Sequence, residues 1–402
     1  MSILSGKNIL LGVTAGIAAY KTAHLTRLFI KSGANVKVVL TPKATEFVTP
    51  LTLSTLSKNP VFSKFVNDDD KHELWNSHVD LGLWADYMLI APATANTMSK
   101  MTKGNANNLL LATYLSAKCP IYLAPAMDLD MYKHPSTVAN IKQLESYGHV
   151  IIPAESGELA SGLVGEGRMA EPENIIRFLE NHITKSLPLF NKKVLITAGP
   201  TYEAIDPVRY IGNHSSGKMG FEIAKQAARL GASVTIIAGP THQNCDGLPI
   251  NRVDVVSADQ MYNAVFEYYK NTDIAIAAAA VADFKPATVA SQKIKKGGES
   301  LEIALEPTKD ILLEMGSQKK NQFLLGFALE TENEVANAKG KLIKKNLDAI
   351  ILNSLQDKGA GFKKNTNKIT IIDNKTSTVF ELKSKADVAV DIFNHIIKKI
   401  DA

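Results

Sequence analysis

Short apolar runs alternate with helical stretches along the chain and predict parallel β-sheets covered by helices. The run Asn8–Val13 is followed by the turn Thr14–Ile17, a helical stretch through Phe29 and a second apolar run at 33–40. Strand, glycine-containing turn, helix and strand in this order are typical of a parallel sheet with helices on both faces. Further buried strands are predicted at Tyr87–Ala91, Pro120–Ala124 and the nine-residue run Ile274–Ala282.

The same pattern begins again in the second half. The apolar run Val194–Gly199 precedes a helix predicted near Gly220–Leu230 and a strand predicted at Ala232–Ala238. A polar segment with a proline, residues 181–193, separates the two halves. The pattern therefore predicts an α/β chain of two doubly wound parallel-sheet domains, residues 1–188 and 189–402. We expect the first to be flavodoxin-like or Rossmann-like and the second to be Rossmann-like.

Composition narrows the class of protein but not its chemistry. The 402 residues are 45% hydrophobic and 21% charged, and 45 basic against 40 acidic residues give a net charge of +5. This balance disfavours nucleic acid as a partner. Two cysteines cannot form a disulfide framework, and no apolar run approaches the roughly 18 residues of a membrane span. We expect a cytoplasmic protein without a membrane partner.

Several motifs of the first half follow predicted strands, where open α/β sheets bind ligands. The turn 12–18 brings glycines beside a helix N-terminus, although a tight packing turn would have the same sequence. More specific are the stretches Ala91–Thr97, Pro125–Tyr132, His78–Asp86 and the glycine-rich segment 157–169. Together these motifs resemble the flavin-dependent cysteine decarboxylases, and the resemblance extends from Lys7 to about Pro172.

The resemblance implies an FMN cofactor and a proton-transfer role for His78. An imidazole titrates near neutral pH and can both accept and return a proton. Without the motif, a single histidine is more often a surface residue. The FMN-binding residues implied are Gly12, Thr14, Gly16, Ile17, Thr41, Ala93, Thr94, Asn96 and Met127.

Two residues depart from the pattern of the family. Asp128 stands where the family has asparagine, and a carboxylate about 4 Å from the substrate's carboxylate would repel it by about 4 kcal/mol. Asp128 must therefore be protonated, be paired with a cation or face away. Ser161 stands where the family has a cysteine proton donor, and a hydroxyl is a far weaker acid than a thiol. Water, protonated Asp128 or a relay through Ser161 remain as donors.

The second half contains an imperfect P-loop. Gly212–Met219 matches the G-x-x-x-x-G-K-[ST] pattern except that Met219 cannot supply the hydroxyl that holds Mg²⁺. The apolar strand that should run into such a loop is also absent from the sequence, because residues 206–211 intervene. An ATPase of the P-loop class is therefore rejected.

The longer string around this loop resembles phosphopantothenate–cysteine ligase, from Lys193 nearly to the end of the chain. It comprises 196–201 and 206–220, with further matching pieces at 278–283, 293–296, 326–331 and 341–348. The resemblance implies that CTP activates 4′-phosphopantothenate as an acyl-cytidylate, which the amine of cysteine then attacks. Lys341 and Lys345 are four residues apart, so we expect both on one face of a helix as a phosphate clamp.

The resemblance also implies residue roles in this half. Arg209 and Asn213 would handle the activated acyl intermediate, and Mg²⁺ would accompany CTP without an assigned set of ligands. The stretch Glu306–Ile311 departs from the wording of the family. The CTP-binding residues implied are Ala277, Ala278, Ala279, Asp283, Lys293, Lys309, Asp310, Ile311, Phe327, Lys341 and Lys345.

One half would make the product that the other decarboxylates, so the two resemblances together point to the bifunctional decarboxylase–ligase family of coenzyme A synthesis. The family forms multimers with flavin sites between N-terminal halves, which implies a homo-oligomer with small-molecule substrates. A ligase fused to an altered or inactive flavoprotein half is the alternative. A regulatory binding protein is disfavoured by the intact ligase motifs, and a nicotinamide enzyme by the lack of a dinucleotide fingerprint.

Overall fold

In a computed structural model the protein is described over residues 2–66, 75–296, 301–330, 332–354 and 364–400. These residues form two compact units, Met1–Thr184 and Lys185–Ala402. Thr331, the last residue of the motif 326–331, lies outside the described residues. No helix in the described part of the chain has both the length and the apolar character needed to cross a membrane.

The first unit is built on a six-stranded parallel sheet in the order β3-β2-β1-β4-β5-β6. This is the Rossmann order, with the chain reversing direction across the sheet beside β1. Val13 of β1 lies opposite Leu40 of β2, so the two strands end together. The strands are β1 (Asn8–Val13), β2 (Asn35–Leu40), β3 (Val61–Phe62), β4 (Tyr87–Ala93), β5 (Ile121–Pro125) and β6 (Val150–Ile151), with a separate hairpin of β7 (Glu155–Glu158) and β8 (Val164–Arg168).

Helices cover both faces of this sheet because alternate residues of β1 point into two different cores. Leu11 packs with Phe29 of the first helix, whereas Leu10 packs with Leu110 on the other face. Burial on both faces explains why the strand reads as a continuous apolar run. The helices are α1 (Lys21–Lys31), α2 (Pro50–Ser57), α3 (His78–Trp84), α4 (Ala95–Thr102), α5 (Leu109–Ser116), α6 (Leu129–Lys133), α7 (Pro135–Ser146) and α8 (Pro172–Lys185).

The second unit repeats the same strand order and extends it. Its eight-stranded sheet runs β13-β12-β9-β14-β17-β18-β20-β21, and only the last two strands are antiparallel to their neighbours. The sheet strands are β9 (Lys193–Ala198), β12 (Ser233–Ala238), β13 (Ile250–Asp254), β14 (Ile274–Ala277), β17 (Phe323–Glu330), β18 (Ala349–Ser354), β20 (Thr370–Asp373) and β21 (Ser377–Val379). The short paired strands are β10 (Tyr202–Ala204), β11 (Tyr210–Gly212), β15 (Phe284–Pro286), β16 (Leu305–Pro307), β19 (Thr366–Asn367) and β22 (Lys383–Ser384).

Helices again pack on both faces of the second sheet. Phe221 and Phe393 are fully buried on one face, and Met261 and Tyr269 lie on the other. The predicted helix near 220–230 and the predicted strand near 232–238 are both present within two residues of their predicted starts. The helices are α9 (Lys218–Arg229), α10 (Ala258–Tyr269), α11 (Ile311–Ser317), α12 (Glu334–Lys344) and α13 (Lys385–Ile400).

The apolar run Ile274–Ala282 is not one buried strand, as its composition suggested. Strand β14 ends at Ala277, and the following alanines continue as a half-buried loop. The loop is tied to β9 and its turn, because Ala279 N donates to Thr197 Oγ1 at 3.2 Å and Ala280 N donates to Gly199 O at 2.9 Å. Small side chains here allow close approach of two backbones rather than continuation of the sheet.

Candidate functional site

A cavity of about 900 Å³ opens at the carboxyl ends of β1, β2, β4 and β5 in the first unit. Parallel sheets of this order bind ligands at this edge, beside the strand where the order reverses. The cavity is lined by the turn after β1, the residues after β2, the start of α4, the segment after β5 and the β7–β8 hairpin. Its volume is within the range of cofactor sites.

Thr14 fixes the floor of the cavity by joining the ends of β1 and β4. Its buried hydroxyl donates to Pro92 O at 2.7 Å, and Thr94 N donates back to Thr14 Oγ1 at 3.3 Å. A β-branched hydroxyl residue at the end of β1 thus sets where the two following turns lie. Thr14 itself is not among the residues that line the cavity.

Two helical N-termini face the cavity without a capping side chain. Gly16 precedes the helical run that continues into α1, and Thr94 precedes α4. At neither position does a side chain accept a hydrogen bond from a backbone N–H of the first turn. Both residues line the cavity. Unpaired backbone N–H groups at a helix start attract an anion, so the site can hold a phosphate group.

Thr41 provides a test of whether a polar cofactor fits. Its side chain is only 8% exposed and lines the cavity, and its Oγ1 atom has no hydrogen-bond partner in the described part of the protein. A buried hydroxyl without a partner is costly unless a ligand satisfies it. The residues present therefore fit FMN, which carries both a phosphate and polar ring edges.

Six of the nine residues predicted to bind FMN line the cavity, namely Gly16, Ile17, Thr41, Thr94, Asn96 and Met127. Gly12, Ala93 and Thr14 do not. A Cβ at Gly12 would lie 2.6 Å from Leu110 Cδ1, so this glycine permits close packing of α5 on β1. Ala93 is fully buried in β4 and accepts a hydrogen bond from Ala126 N.

Asp128 lines the cavity and caps α6. Its Oδ1 atom accepts a hydrogen bond from Leu129 N at 2.7 Å, and the side chain is half-buried. The side chain therefore does not face away from the site. Among the described residues no lysine or arginine forms an ion pair with it, so pairing with a protein cation is also not the explanation for this carboxylate.

Ser161 lies at the tip of the β7–β8 hairpin, at the edge of the cavity. The tip is closed by the hydrogen bonds Leu159 N to Leu163 O at 2.8 Å and Gly162 N to Leu159 O at 2.9 Å. Gly167 in β8 has a φ of +141°, and a Cβ there would lie 2.5 Å from Met127 O. A glycine is thus required for the hairpin to lie against the segment that carries Asp128.

His78 does not belong to the residues of its own chain that line the cavity. It begins α3, where Ser77 caps the helix by accepting a hydrogen bond from Asp80 N. The ring makes edge contacts with Phe65 and Trp75, at centroid distances of 6.2 and 6.4 Å. Its Nδ1 atom is buried and makes no hydrogen bond with the described residues.

The sequence patterns missed several polar residues that line the cavity. Lys100 follows Asn96 by four residues on α4, and this helical spacing alone places it on the same face. Arg168 follows the hairpin glycines and pairs with Glu171 at 2.5 Å. The other residues missed by the sequence patterns include Lys21, Lys43, Asn107 and Asn108.

In the second unit, Arg209 is fixed by a buried carboxylate. Asp206 is 2% exposed and accepts hydrogen bonds from Arg209 Nε at 2.9 Å and from Arg209 Nη2. The hydrogen bond from Arg209 holds the pKa of Asp206 far below its ordinary value. Arg209 also donates to Ile294 O at 2.7 Å, which joins the β10–β11 region to the loop that carries Lys293. Arg209 is thus pre-positioned before any ligand binds.

Asn213 holds the loop that follows β14. Its Nδ2 atom donates to Ala280 O and Val281 O, both at 3.0 Å. The side-chain oxygen accepts no hydrogen bond from the described residues. The loop after β11 and the loop after β14 are thereby brought together, beside Ala278 and Ala279 from the predicted set.

The two predicted clamp lysines contact different carboxylates. Lys341 pairs with Glu330 at 2.6 Å, and Lys345 pairs with Asp310 at 2.8 Å. Helix α12 ends at Lys344 with Lys345 as its C-cap, whose N–H donates to Lys341 O at 3.0 Å. The two lysines are thus one helical turn apart, but their side chains bind different carboxylates. Burial alone would raise the pKa of Asp310, but hydrogen bonds from Lys345 and Leu313 N lower it below the ordinary value.

The other predicted CTP-binding residues lie at the carboxyl edge of the second sheet or on loops nearby. Ile311 is buried at the start of α11, Phe327 is half-buried in β17, and Ala277 ends β14. Asp283 and Lys293 are exposed, and Lys309 Nζ lies 4.4 Å from the centroid of the Tyr262 ring. In the described residues no cluster of three or more metal-ligating side chains is found.

Two family models match the chain, one for each half. Residues 2–184 match the flavoprotein family, and residues 189–400 match the DNA/pantothenate metabolism flavoprotein C-terminal domain. The prediction of a flavin-binding first half is confirmed by the first match.

Similar proteins span the whole chain. The coenzyme A biosynthesis bifunctional protein CoaBC of Bacillus subtilis is 43% identical over 98% of this chain and 97% of its own. A cysteine/cysteine sulfinic acid decarboxylase from an unknown prokaryotic organism is 55% identical over 87% of this chain and 99% of its own. A crystal structure of the C-terminal domain of a CoaBC protein is 39% identical and covers 54% of this chain and 99% of its own, with a TM-score of 0.46.

The matches cover both halves, in the order in which the two units follow each other along the chain. The chain belongs to the family of bifunctional coenzyme A biosynthesis proteins CoaBC.

Proposed function

We propose that residues 189–402 ligate 4′-phosphopantothenate to cysteine through an acyl-cytidylate and that residues 1–188 decarboxylate the product with FMN. The observation that carries the proposal is the cavity at the switch point of the first sheet, where the Thr41 hydroxyl has no partner among the described residues. In the second unit of the same chain, Asp206 fixes Arg209, and Asn213 contacts the loop after β14. We place both reactions in the cytoplasm, in keeping with a chain of only two cysteines.

In the first unit the protein binds the cofactor and moves protons. When bound, FMN supplies the oxidation of the CH₂–SH group that creates an electron sink for loss of CO₂. The uncapped helical N-termini at Gly16 and Thr94 hold the phosphate of the cofactor, and Thr41 satisfies one polar atom. The hairpin that carries Ser161 covers the bound substrate and excludes water.

In the second unit the protein converts an unreactive carboxylate into an ester with a good leaving group. Lys341, Lys345 and Lys293 neutralise the triphosphate of CTP together with Mg²⁺. Asn213 orients the activated acyl group without adding charge, because its side-chain amide can donate to an acyl oxygen in exchange for one of the loop carbonyls that it contacts. Arg209, already fixed by Asp206, meets the acyl-phosphate oxygens.

We propose further that the flavin site is completed in a homo-oligomer. His78 lies outside the cavity of its own chain, while apolar side chains are exposed both near His78 and at the mouth of the cavity. Such patches favour contact between copies of a chain. These exposed side chains are Trp75, Val79 and Leu83 near His78, and Ile17 and Tyr20, which line the cavity.

The test uses the full chain loaded with FMN. It is supplied with 4′-phosphopantothenate, cysteine and Mg²⁺, with CTP or ATP, and pyrophosphate and CO₂ are followed separately. We expect both products with CTP. Absence of pyrophosphate refutes the ligase assignment, and absence of CO₂ from added 4′-phosphopantothenoylcysteine refutes the decarboxylase assignment. Light scattering should give a mass of more than one chain, whereas an active monomer contradicts the shared site.

A ligase fused to an altered decarboxylase half is the second candidate, because Asp128 and Ser161 replace the residues of the family. The relative that is 55% identical is a cysteine/cysteine sulfinic acid decarboxylase, which acts on cysteine itself. Release of pyrophosphate without CO₂ from the phosphopantothenoyl substrate would favour this candidate.

A further inference from the structure

Two carboxylates line the flavin cavity without a countercharge among the described residues, the exposed Glu158 and the half-buried Asp128. Asp128 lies at the end of β5 and lines the cavity, and only its Oδ1 atom is used, by Leu129 N at 2.7 Å. Its Oδ2 atom forms no hydrogen bond or ion pair with any residue that the structure describes. A carboxylate oxygen on a half-buried residue that lines a binding cavity calls for a donor, and a cationic donor binds it best.

The cations around the cavity do not supply that donor. Lys21 pairs with Glu171 at 3.0 Å, Arg168 pairs with the same carboxylate, and Lys43 pairs with Glu46 at 3.4 Å. Lys100 lines the cavity and has no ion-pair partner within the described ranges, so it remains available to an anionic group such as a phosphate or a carboxylate.

A thiol substrate with its own ammonium group supplies a cation for Asp128, and its carboxylate supplies an anion for Lys100. In a cysteine acylated at its nitrogen, the atoms beside the carboxylate are a neutral amide, and its carboxylate is repelled by Asp128. In free cysteine the same nitrogen is a cationic ammonium, which both neutralises Asp128 and donates hydrogen bonds to Oδ2.

We propose that the flavin cavity accepts free cysteine as a second substrate, with Asp128 binding its α-ammonium group, and converts it to cysteamine. This inference rests on the proposed flavin-dependent decarboxylation in the same cavity. The bond between Cα and the carboxylate carbon breaks, and CO₂ leaves. The electron pair passes to the thiocarbonyl produced by flavin oxidation of the CH₂–SH group. The two electrons that FMN would accept from the CH₂–SH group would return to the same carbon, and Cα would gain a proton, so that one proton is the net co-reactant.

The test compares substrates that differ at one group. The full chain loaded with FMN is given 4′-phosphopantothenoylcysteine, free cysteine or N-acetylcysteine, and CO₂ and the thiol product are measured. N-acetylcysteine keeps the thiol and the carboxylate but has no ammonium group. We expect kcat/KM for free cysteine to exceed that for N-acetylcysteine by roughly 10- to 100-fold, the range of a charged hydrogen bond.

The decisive variant is Asp128→Asn. Asparagine caps a helix as well as aspartate does, so α6 and the fold are kept while the charge is removed. We expect kcat/KM for free cysteine to fall roughly 10- to 100-fold and that for 4′-phosphopantothenoylcysteine to rise. Asp130→Asn is the matched control, because Asp130 lies in the same helix, is exposed and does not line the cavity. It should leave both values unchanged.

The outcomes separate this inference from the proposed function. If the parent protein decarboxylates 4′-phosphopantothenoylcysteine but releases no CO₂ from free cysteine, or treats cysteine and N-acetylcysteine alike, the inference is overturned and the proposed function stands. An unchanged substrate ratio in Asp128→Asn also overturns it. If no compound releases CO₂ from protein that has bound FMN, the proposed decarboxylase function fails.

Discussion

The two units share one strand order and differ in the connection that follows the first strand. In the first unit only residues 14–16 separate β1 from the helical run that begins at Ile17, so the helix start faces the cavity directly. In the second unit residues 199–217 separate β9 from α9 and contain the β10–β11 hairpin. The short connection creates a preformed cofactor cavity, whereas the long one brings polar side chains to a neighbouring loop.

The units also differ in how their charges are held. The first cavity contains unsatisfied groups, the Thr41 hydroxyl and one oxygen of Asp128. In the second unit, Arg209, Lys341 and Lys345 are each paired with a carboxylate. A ligand can therefore bind the first site by adding contacts, but binding of a triphosphate in the second exchanges existing ion pairs. The following experiments test this difference, from the largest expected effect to the smallest.

The largest effect is expected from removal of the proton-transfer group of the first unit. His78→Asn should lower CO₂ release by roughly 10²- to 10⁴-fold, the usual contribution of general acid–base catalysis. Pyrophosphate release by the second unit should not change. His182→Asn is a control in the same unit, because His182 contacts Tyr122 and Phe178 and does not line the cavity. Equal losses in both variants would contradict the role of His78.

Asn213→Ala should stall the second unit after activation. We expect pyrophosphate from a first turnover but ligation slowed roughly 10²-fold, because a group that orients the acyl intermediate is lost. Quenched-flow separation of the cytidylate from the amide measures the two steps. Asn321→Ala, at an exposed bend, is the control. Normal ligation by Asn213→Ala would refute the assignment.

Gly239→Ala tests the close contact between two backbones of the second unit, that of Gly239 after β12 and that of Pro200 after β9. An added Cβ would lie 1.7 Å from Pro200 O, and such overpacking costs about 1–3 kcal/mol. We expect a lower unfolding temperature for the second unit and normal flavin absorbance from the first. Gly340→Ala, in α12 with no atom within 4 Å of the new Cβ, should be neutral or stabilising. Loss of flavin in Gly239→Ala would show that the units do not unfold separately.

Lys345→Gln tests the exchange of ion pairs. If CTP takes Lys345 from Asp310, the KM for CTP should rise about tenfold in this variant. Lys344→Gln removes the same charge from the neighbouring exposed position and should change KM little. A Lys345→Gln protein with an unchanged KM would place the triphosphate elsewhere.

The smallest effect concerns pH. Burial lowers the pKa of His395. The charge of Asp373 raises this pKa and partly offsets the effect of burial, whereas the charge of Lys399 lowers it further. Since the folded pKa lies below the ordinary value of 6.5, the unfolded chain binds more protons, and this contribution to stability is present above pH 6.5 and lost as pH falls. His395→Gln should therefore reduce the loss of thermal stability between pH 7.5 and pH 5.5. An identical loss in parent and variant would contradict this.

Local patterns allowed prediction of the elements but not of their ends. The strands at Asn8–Val13 and Val194 onward follow from continuous apolar runs, because parallel strands are buried on both faces. The run Ile274–Ala282 misled because alanine fits a strand as well as a tightly packed loop. Only the approach of Gly199 and Asn213 in space decides that the strand ends at Ala277.

The sequence allowed prediction of those residues of the site that come directly after a strand. Thr41, Thr94 and Asn96 are found at the cavity because the carboxyl ends of parallel strands share one edge. Lys21 and Arg168 were missed, since they come from elements far apart in sequence that meet where both side chains bind Glu171. That His78 lies outside the cavity of its own chain does not follow from its local sequence, which says nothing about the residues that surround it in the fold.

The cap formed by Asp128 has an evolutionary consequence. Aspartate and asparagine codons differ by one nucleotide, and both side chains begin a helix equally well. A lineage could thus exchange the two residues without losing folded protein. The exchange would remove or introduce a negative charge next to the substrate. Selection for substrate preference could then act on this position without opposition from selection for stability.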